Sequence, residues 1–175
     1  MNIKKMLHIE GIYRAYIMHL VNKRYAGSTN PSKCQKKRKL LIKLGYSIGE
    51  GTVVIGPIEC TGKLTVGANC WIGKNFMING NGSVVIGDNC DIGPEVTFQT
   101  GGHTIGSAER RAGQGLSFSQ VVGDGTWIGG RATIMNNVSI GKGCVIAGCA
   151  AVVSDVEDNL LVGGVPAKAI KKLDV

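Results

Sequence analysis

The sequence predicts an all-β protein, a parallel β-helix of about five coils with a helical cap before it and a short extension after it. Three observations carry this expectation. An aliphatic residue or Cys recurs at every sixth position from Ile48 onward. Gly supplies 27 of the 175 residues, about twice the usual share of ~7%. The residues before Ile48 follow helical spacing instead. The expected boundaries are 1–45 for a basic helical segment, 46–158 for the repeat with a loop at 100–121, and 159–175 for the extension.

Residues 3 to 21 place apolar side chains at Ile3, Met6, Leu7, Ile9, Ile12, Tyr13, Tyr16, Ile17, Leu20 and Val21, close to helical period. A break follows at Gly27-Ser28-Thr29-Asn30-Pro31, after which Ser32 is placed to cap a second helix that runs to about Leu44 and ends at Gly45. A solenoid has an unpaired edge at its first coil, and these helices are expected to cover it. Basicity concentrates here, since residues 1–45 sum to +10 and the remaining 130 to −2. Such a segment fits peripheral contact with an anionic membrane as well as a packed cap, whereas no nucleic-acid-binding signature accompanies the charge. No apolar run approaches the ~18 residues of a membrane span, and Glu10, Arg14 and His19 interrupt what would be the apolar stretch of a signal peptide. A cytoplasmic chain is expected.

The period runs through Ile48, Val54, Cys60, Val66, Ile72 and Ile78, slips by two residues, and resumes at Ile86, Ile92 and Phe98. Beyond a loop it continues unbroken through Val122, Ile128, Ile134, Ile140, Ile146 and Val152. Six residues hold one short strand and one bend, and three such units close a triangular coil whose successors stack at ~4.8 Å as parallel strands. Gly tends to follow the repeat residue, and four positions after it stands a residue that is often small: Thr52, Cys70, Cys90, Thr126, Ala132, Cys144, Ala150. The six Cys contain no C-x-x-C pair, so reduced and mostly buried thiols are expected. Cys34 and Cys149 have no place in the repeat.

Two irregularities stand out as candidate functional segments. The interruption from about Thr100 to Gln120 is too long for a corner and too polar for a core, and it holds His103, the only His outside the N-terminal segment. The slip after Ile78 forms a turn through Asn79-Gly80-Asn81-Gly82. The chain ends on Gly163-Gly164-Val165-Pro166-Ala167-Lys168, followed by Lys171 and Lys172.

On these residues the chain resembles the hexapeptide-repeat acyltransferases, and within them the maltose, galactoside and Nod-factor sugar O-acetyltransferases. The resemblance covers about residues 46 to 173 and implies a left-handed coil. The loop His followed by Glu109-Arg110 matches that group's catalytic His, and Asn75-Phe76 with Asn79 matches its acceptor-binding segment, carried over here for Asn79 alone. Trp127-Ile128-Gly129-Gly130 and Ile146-Ala147-Gly148 match coils that border the cofactor, which assigns Gly130 and Gly148 to acetyl-CoA. The ending matches a turn that holds the adenine end, which assigns Ala167, Lys168 and Lys171 to the same ligand. Met77 stands where the group often has an aromatic residue, and a short acidic insertion is missing. The resemblance further implies a homotrimer with active sites between subunits.

The expected activity is acetyl-CoA-dependent transfer of an acetyl group to a carbohydrate hydroxyl, such as that of a bacterial surface polysaccharide. Imidazole titrates near working pH and suits the base that a poorly nucleophilic hydroxyl needs. Glu109 is left open between orienting the ring and pairing with Arg110. Serine or antibiotic O-acetyltransferase, amino-sugar N-acetyltransferase and non-catalytic assembly domain remain alternatives on the same scaffold. The Asp-Arg-His-Pro segment usual in serine enzymes is missing, and a single His in the coil region argues against a three-His zinc site.

Overall fold

The computed structural model describes residues 3–174, with side chains from Glu10 onward. The apolar positions Ile3, Met6, Leu7 and Ile9 therefore lie outside the described side chains. Six-residue units dictate the architecture: three short strands and three bends per coil, stacked so that each strand pairs in parallel with its counterparts above and below. The first face stacks Ser47–Ile48, Lys63–Val66, Ser83–Ile86, Ser119–Val122 and Ser139–Ile140. The second stacks Val53–Val54, Trp71–Ile72, Asp91–Ile92, Trp127–Ile128, Val145–Ile146 and Leu160–Gly164. The third stacks Ile58–Cys60, Phe76–Asn79, Thr97–Gln99, Thr133–Met135 and Ala151–Val152.

All fifteen repeat residues from Ile48 to Val152 are buried, none more than 8% exposed. Their columns form the hydrophobic core, because alternate side chains of a strand point to opposite sides and only one set meets the axis. The small slot does more than fill space. Thr52 Oγ1 donates to the Gly67 carbonyl at 2.7 Å, and the thiols of Cys70, Cys90 and Cys144 donate to the carbonyls of Gly87, Gly123 and Glu157 at 3.1, 3.3 and 3.1 Å. A compact side chain with one donor satisfies a carbonyl that the bend leaves without a ladder partner.

Five coils are complete and a sixth has two sides. Val156 bridges Ile140 and Val162 pairs with Ile146, each sixteen residues on rather than eighteen, because the bend after Val152 is two residues shorter. The strand Leu160–Gly164 thus belongs to the stack although the hexad count places it in the extension. Ala167–Lys172 folds back antiparallel on it and closes that edge.

At the other end, helix α1 (Ile3–His19) continues into a π-helical turn at Leu20–Arg24, and helix α2 (Pro31–Lys43) follows. Asn30, not Ser32, caps α2: its side chain accepts from Lys33 N at 3.3 Å, and Pro31 takes the first helical position, where a missing N–H costs nothing. Gly45, at φ +90°, ends it as expected. The helices cover the first coil through specific polar contacts. Asn22 pairs with Ile58 as a neighbouring strand would, donating to its carbonyl at 2.8 Å and accepting from its N–H at 2.9 Å. Arg38 Nε donates to the carbonyls of Ile48 and Gly49 at 2.9 and 2.8 Å. Lys37 is fully buried, and its ammonium donates to the carbonyls of Ser28 and Ile55; burial lowers its pKa. Among the described residues no helix is long and apolar enough to cross a membrane.

Two outcomes follow from this packing. Asn22→Leu keeps the volume but strands both polar groups of Ile58, and should cost about 2–4 kcal/mol of stability, read as a lower urea midpoint with unchanged slope. Five Cys are buried and Cys149 alone is exposed, with burial pushing the Cys60 and Cys90 thiols up to about 12 and about 11. A thiol reagent at neutral pH should therefore label one site quickly in folded protein, Cys149→Ser should abolish that phase, and all six thiols should react after unfolding.

Candidate active site

The long interruption is a β-hairpin, not an irregular loop. Strands Gly101–Ile105 and Ala112–Ser117 pair antiparallel around a turn in which Arg110 N bonds the Ser107 carbonyl. The hairpin leaves the corner between the third and first faces, and the ladder resumes in register, Ser83 opposite Ser119 and Ile86 opposite Val122. Residues 119–121, expected to be loop, already belong to the first face. Gln120 turns inward there and donates to the carbonyls of Gln99, Ile134 and Asn136 at 3.1, 3.1 and 2.9 Å, serving acceptors around the point where the chain departs.

His103 sits on the first hairpin strand, opposite Gly115. Its Nδ1 lies 3.0 Å from the Gly113 carbonyl oxygen. A carbonyl only accepts, so Nδ1 carries the proton and Nε2 keeps its lone pair in the neutral ring. Thr104 Oγ1 accepts from Gln114 N at 2.9 Å and steadies the strand bearing that carbonyl. Glu109 takes neither of its two expected roles: no ion pair joins it to Arg110 among the described residues, and the group that meets the ring is Gly113. Its exposed carboxyl is held below the usual range by a hydrogen bond from Ser107.

Asn79 and His103 line one open groove of about 700 Å³, together with Thr61, Gln99, Gly101 and Leu116. Backbone closeness makes this possible. Gly80 has φ +117°, and a Cβ there would strike Gly101 N, so the 79–82 corner lies directly against the base of the hairpin. Thr61 Oγ1 accepts from Gly80 N at 2.9 Å and holds the same corner. Thr61 and Gln99 were not among the expected site residues. The signal for them is positional: each follows a third-face repeat residue, as Asn79 does, so the three stack in one column.

Gly130 and Gly148 occupy successive coils at the corner between the second and third faces. A Cβ on Gly148 would approach the Gly130 carbonyl oxygen to 3.2 Å, and one on Gly130 the Pro94 carbonyl oxygen to 3.1 Å, so the strip is lined by backbone. Arg131 and Glu95 flank it with an exposed ion pair of 2.8 Å. The closing hairpin abuts the strip: Gly163 packs beside Ala147, and Lys168 and Lys171 lie opposite Gly163 and Leu161, exposed to solvent. Ala167 and Lys168 border a recess of about 150 Å³ at the open end of the stack. The structure therefore assembles the expected residues into two groups. His103 with Asn79 is at the corner between the third and first faces, and Gly130 and Gly148, with the closing hairpin beside them, are at the corner between the second and third faces.

Residues 121–153 match the family described as bacterial transferase hexapeptide (six repeats). The galactoside O-acetyltransferase of Escherichia coli (strain K12) is 31% identical over 152 residues, which are 83% of this chain and 74% of that protein. A solved hexapeptide-repeat-containing acetyltransferase of Vibrio cholerae, complexed with acetyl coenzyme A, has a TM-score of 0.78 at 26% identity, covering 93% of this chain and 86% of that one. A galactoside acetyltransferase in complex with coenzyme A has a TM-score of 0.71 at 28% identity, covering 93% and 80%. The chain belongs to the hexapeptide-repeat acetyltransferase family. It is an enzyme of the acyltransferase class.

The ring geometry sets a spectroscopic expectation. Nitrogen-15 correlation spectra at a pH where His103 is neutral should show a protonated Nδ1 and an unprotonated Nε2; the opposite tautomer would mean that the Gly113 contact is not a hydrogen bond.

Proposed function

We propose that the protein transfers an acetyl group from acetyl-CoA directly to a hydroxyl of a carbohydrate, with His103 as general base. The observation that carries this reading is the tether from Nδ1 to the Gly113 carbonyl, which leaves Nε2 basic in a groove shared with Asn79. Nε2 takes the proton of the acceptor hydroxyl as that oxygen attacks the acetyl carbonyl, and the imidazolium returns it to the departing CoA thiolate. No covalent acetyl-enzyme is needed. Asn79 binds the acceptor through its side-chain amide, which supplies both donors and an acceptor for hydroxyls. Likeness to the galactoside O-acetyltransferase favours a sugar acceptor.

The co-substrate fits the other group of residues. The strip at Gly130 and Gly148 lets a thin chain approach the backbone, and Lys168 and Lys171 offer point charges to phosphate, with Ala167 at the turn between them and the strip. The two groups occupy different corners of one prism, so the complete site forms between copies. A homotrimer, the closed assembly that lays one corner of each prism against another corner of its neighbour, is the expected state.

Thiol release from acetyl-CoA, measured against a panel of sugars, amino sugars and serine, tests this directly. His103→Ala should lower kcat by about 10²–10⁴-fold with little change in CoA binding, whereas Asn79→Ala should act chiefly on the KM of the acceptor. Robust turnover by His103→Ala, or folded protein that fails to bind CoA in calorimetry, would remove the reading. Sedimentation should show three copies per particle.

A further inference from the structure

Two places before the first-face repeat residue, the complete coils carry a buried apolar side chain at Tyr46, Leu64, Val84 and Val138, and an amide, Gln120, only on the rung that the hairpin interrupts. Gln120 is 1% exposed, and its Oε1 is the one buried side-chain polar atom without a hydrogen-bond partner among the described residues. A buried acceptor left unmet opposes folding, so what the amide contributes comes from its nitrogen. That nitrogen reaches the carbonyl of Gln99, the last residue before Thr100. Thr100 is itself fully buried. Thr52 and Thr126 are buried as well, but they fill the small slot of the bends. Thr100 lies outside that slot, at the root of the hairpin.

Thr100 joins three segments. Its N–H donates to the Asn79 carbonyl at 2.8 Å, and its Oγ1 donates to the same oxygen at 3.3 Å. That Oγ1 also accepts from Gly82 N at 3.3 Å, and this N–H has no other acceptor among the described residues. The Thr100 carbonyl accepts from Phe118 N at 2.8 Å, across the base of the hairpin, and the Phe118 carbonyl accepts from Ser83 N at 3.0 Å. Both ends of the 79–82 corner and both roots of the hairpin therefore meet at one residue. The hydroxyl holds Asn79 and Gly82 at once, and His103 stands three residues further along the chain.

We infer that Thr100 is a positioning residue: its buried hydroxyl latches the corner that bears Asn79 to the hairpin that bears His103, and so sets the distance between a bound acceptor and the imidazole. Gln120 supports the latch by holding the carbonyl just before it. Both side chains are buried, so neither touches the acceptor. Direct transfer needs the acceptor hydroxyl within hydrogen-bond reach of Nε2, and a misplacement of about 1 Å costs on the order of 10²-fold in rate. Asn79 fixes the sugar to the stack and the Gly113 carbonyl fixes the ring to the hairpin, so the offset between them is set where hairpin and stack are joined. The inference rests on the roles proposed above for His103 and Asn79, and its variants fail separately from theirs.

Thr100→Val keeps the shape of the side chain and the backbone bonds but removes the hydroxyl. It should lower kcat about 10–100-fold, with CoA affinity and the pH dependence of the rate unmoved, because the base is the same and only its alignment is lost. Thr100→Ser should restore most of kcat. Gln120→Leu, which extends the apolar column, should also lower kcat and decides the matter if Thr100→Val does not fold. Exchange of the Gly82 amide proton, which needs no acceptor substrate, should speed up in Thr100→Val and be slow again in Thr100→Ser. Wild-type kcat in Thr100→Val, equal losses in Thr100→Ser and Thr100→Val, or a Gly82 amide that exchanges alike in all three proteins would overturn the inference. So would a loss of rate that disappears when the variant is assayed well below its thermal midpoint. Turnover retained by His103→Ala would remove the general base and the latch with it, whereas an inactive His103→Ala beside a fully active Thr100→Val removes the latch alone.

Discussion

The constraint on which the structure depends is the parallel ladder between coils. Every strand spends its backbone donors and acceptors on the rungs before and after it, so each rung is fully paired only if both neighbours are present and in register. The interior columns enforce that register, because a one-residue slip would turn every repeat side chain out to solvent. What the ladder leaves unpaired must be met by other means. At the bends, small donors such as Thr52 and Cys144 meet it. At the first coil, Asn22, Lys37 and Arg38 stand in for a missing strand, and at the last, Ala167–Lys172 supplies a real one.

Most of the fold was legible because period six has few solutions. The fifteen repeat positions, the small slot and the slip at 79–82 could all be read from Ile48 to Val152 without coordinates. Two things could not. The sixth rung hides behind a bend shortened by two residues, which shifts Val156 and Val162 out of phase. The cap of α2 was misplaced because Ser32 and Asn30 both favour that position, and only Pro31 between them decides that Asn30 lies outside the helix.

The candidate site residues could be picked out one by one in the sequence, but their assembly could not. A lone His in a polar interruption pointed to His103, and a turn pointed to Asn79, but neither spacing said that they share a groove. That depends on Gly80 and Gly101 touching backbone to backbone, a relation between segments twenty residues apart. The hairpin itself has no alternating pattern: its strands are rich in Gly and polar residues, and it stands on backbone pairing and on Thr104. The ring's partner escaped notice for a related reason, since any residue has a carbonyl and composition gives no sign that Gly113 is the one that matters. Thr61 and Gln99 become visible only when the third-face repeat positions are aligned with one another.

The hairpin departs and returns at a single corner, and Ser119 takes up its place opposite Ser83 as though nothing had intervened. Lengthening or shortening the excursion therefore leaves the stack untouched and changes only the entropy of closing a loop, by about 0.6 kcal/mol for each doubling of its length. The imidazole is thus carried on an appendage whose reach can drift through insertion and deletion while the scaffold stays constant, so that, with His103 as the proposed base, a change of acceptor requires no change of fold.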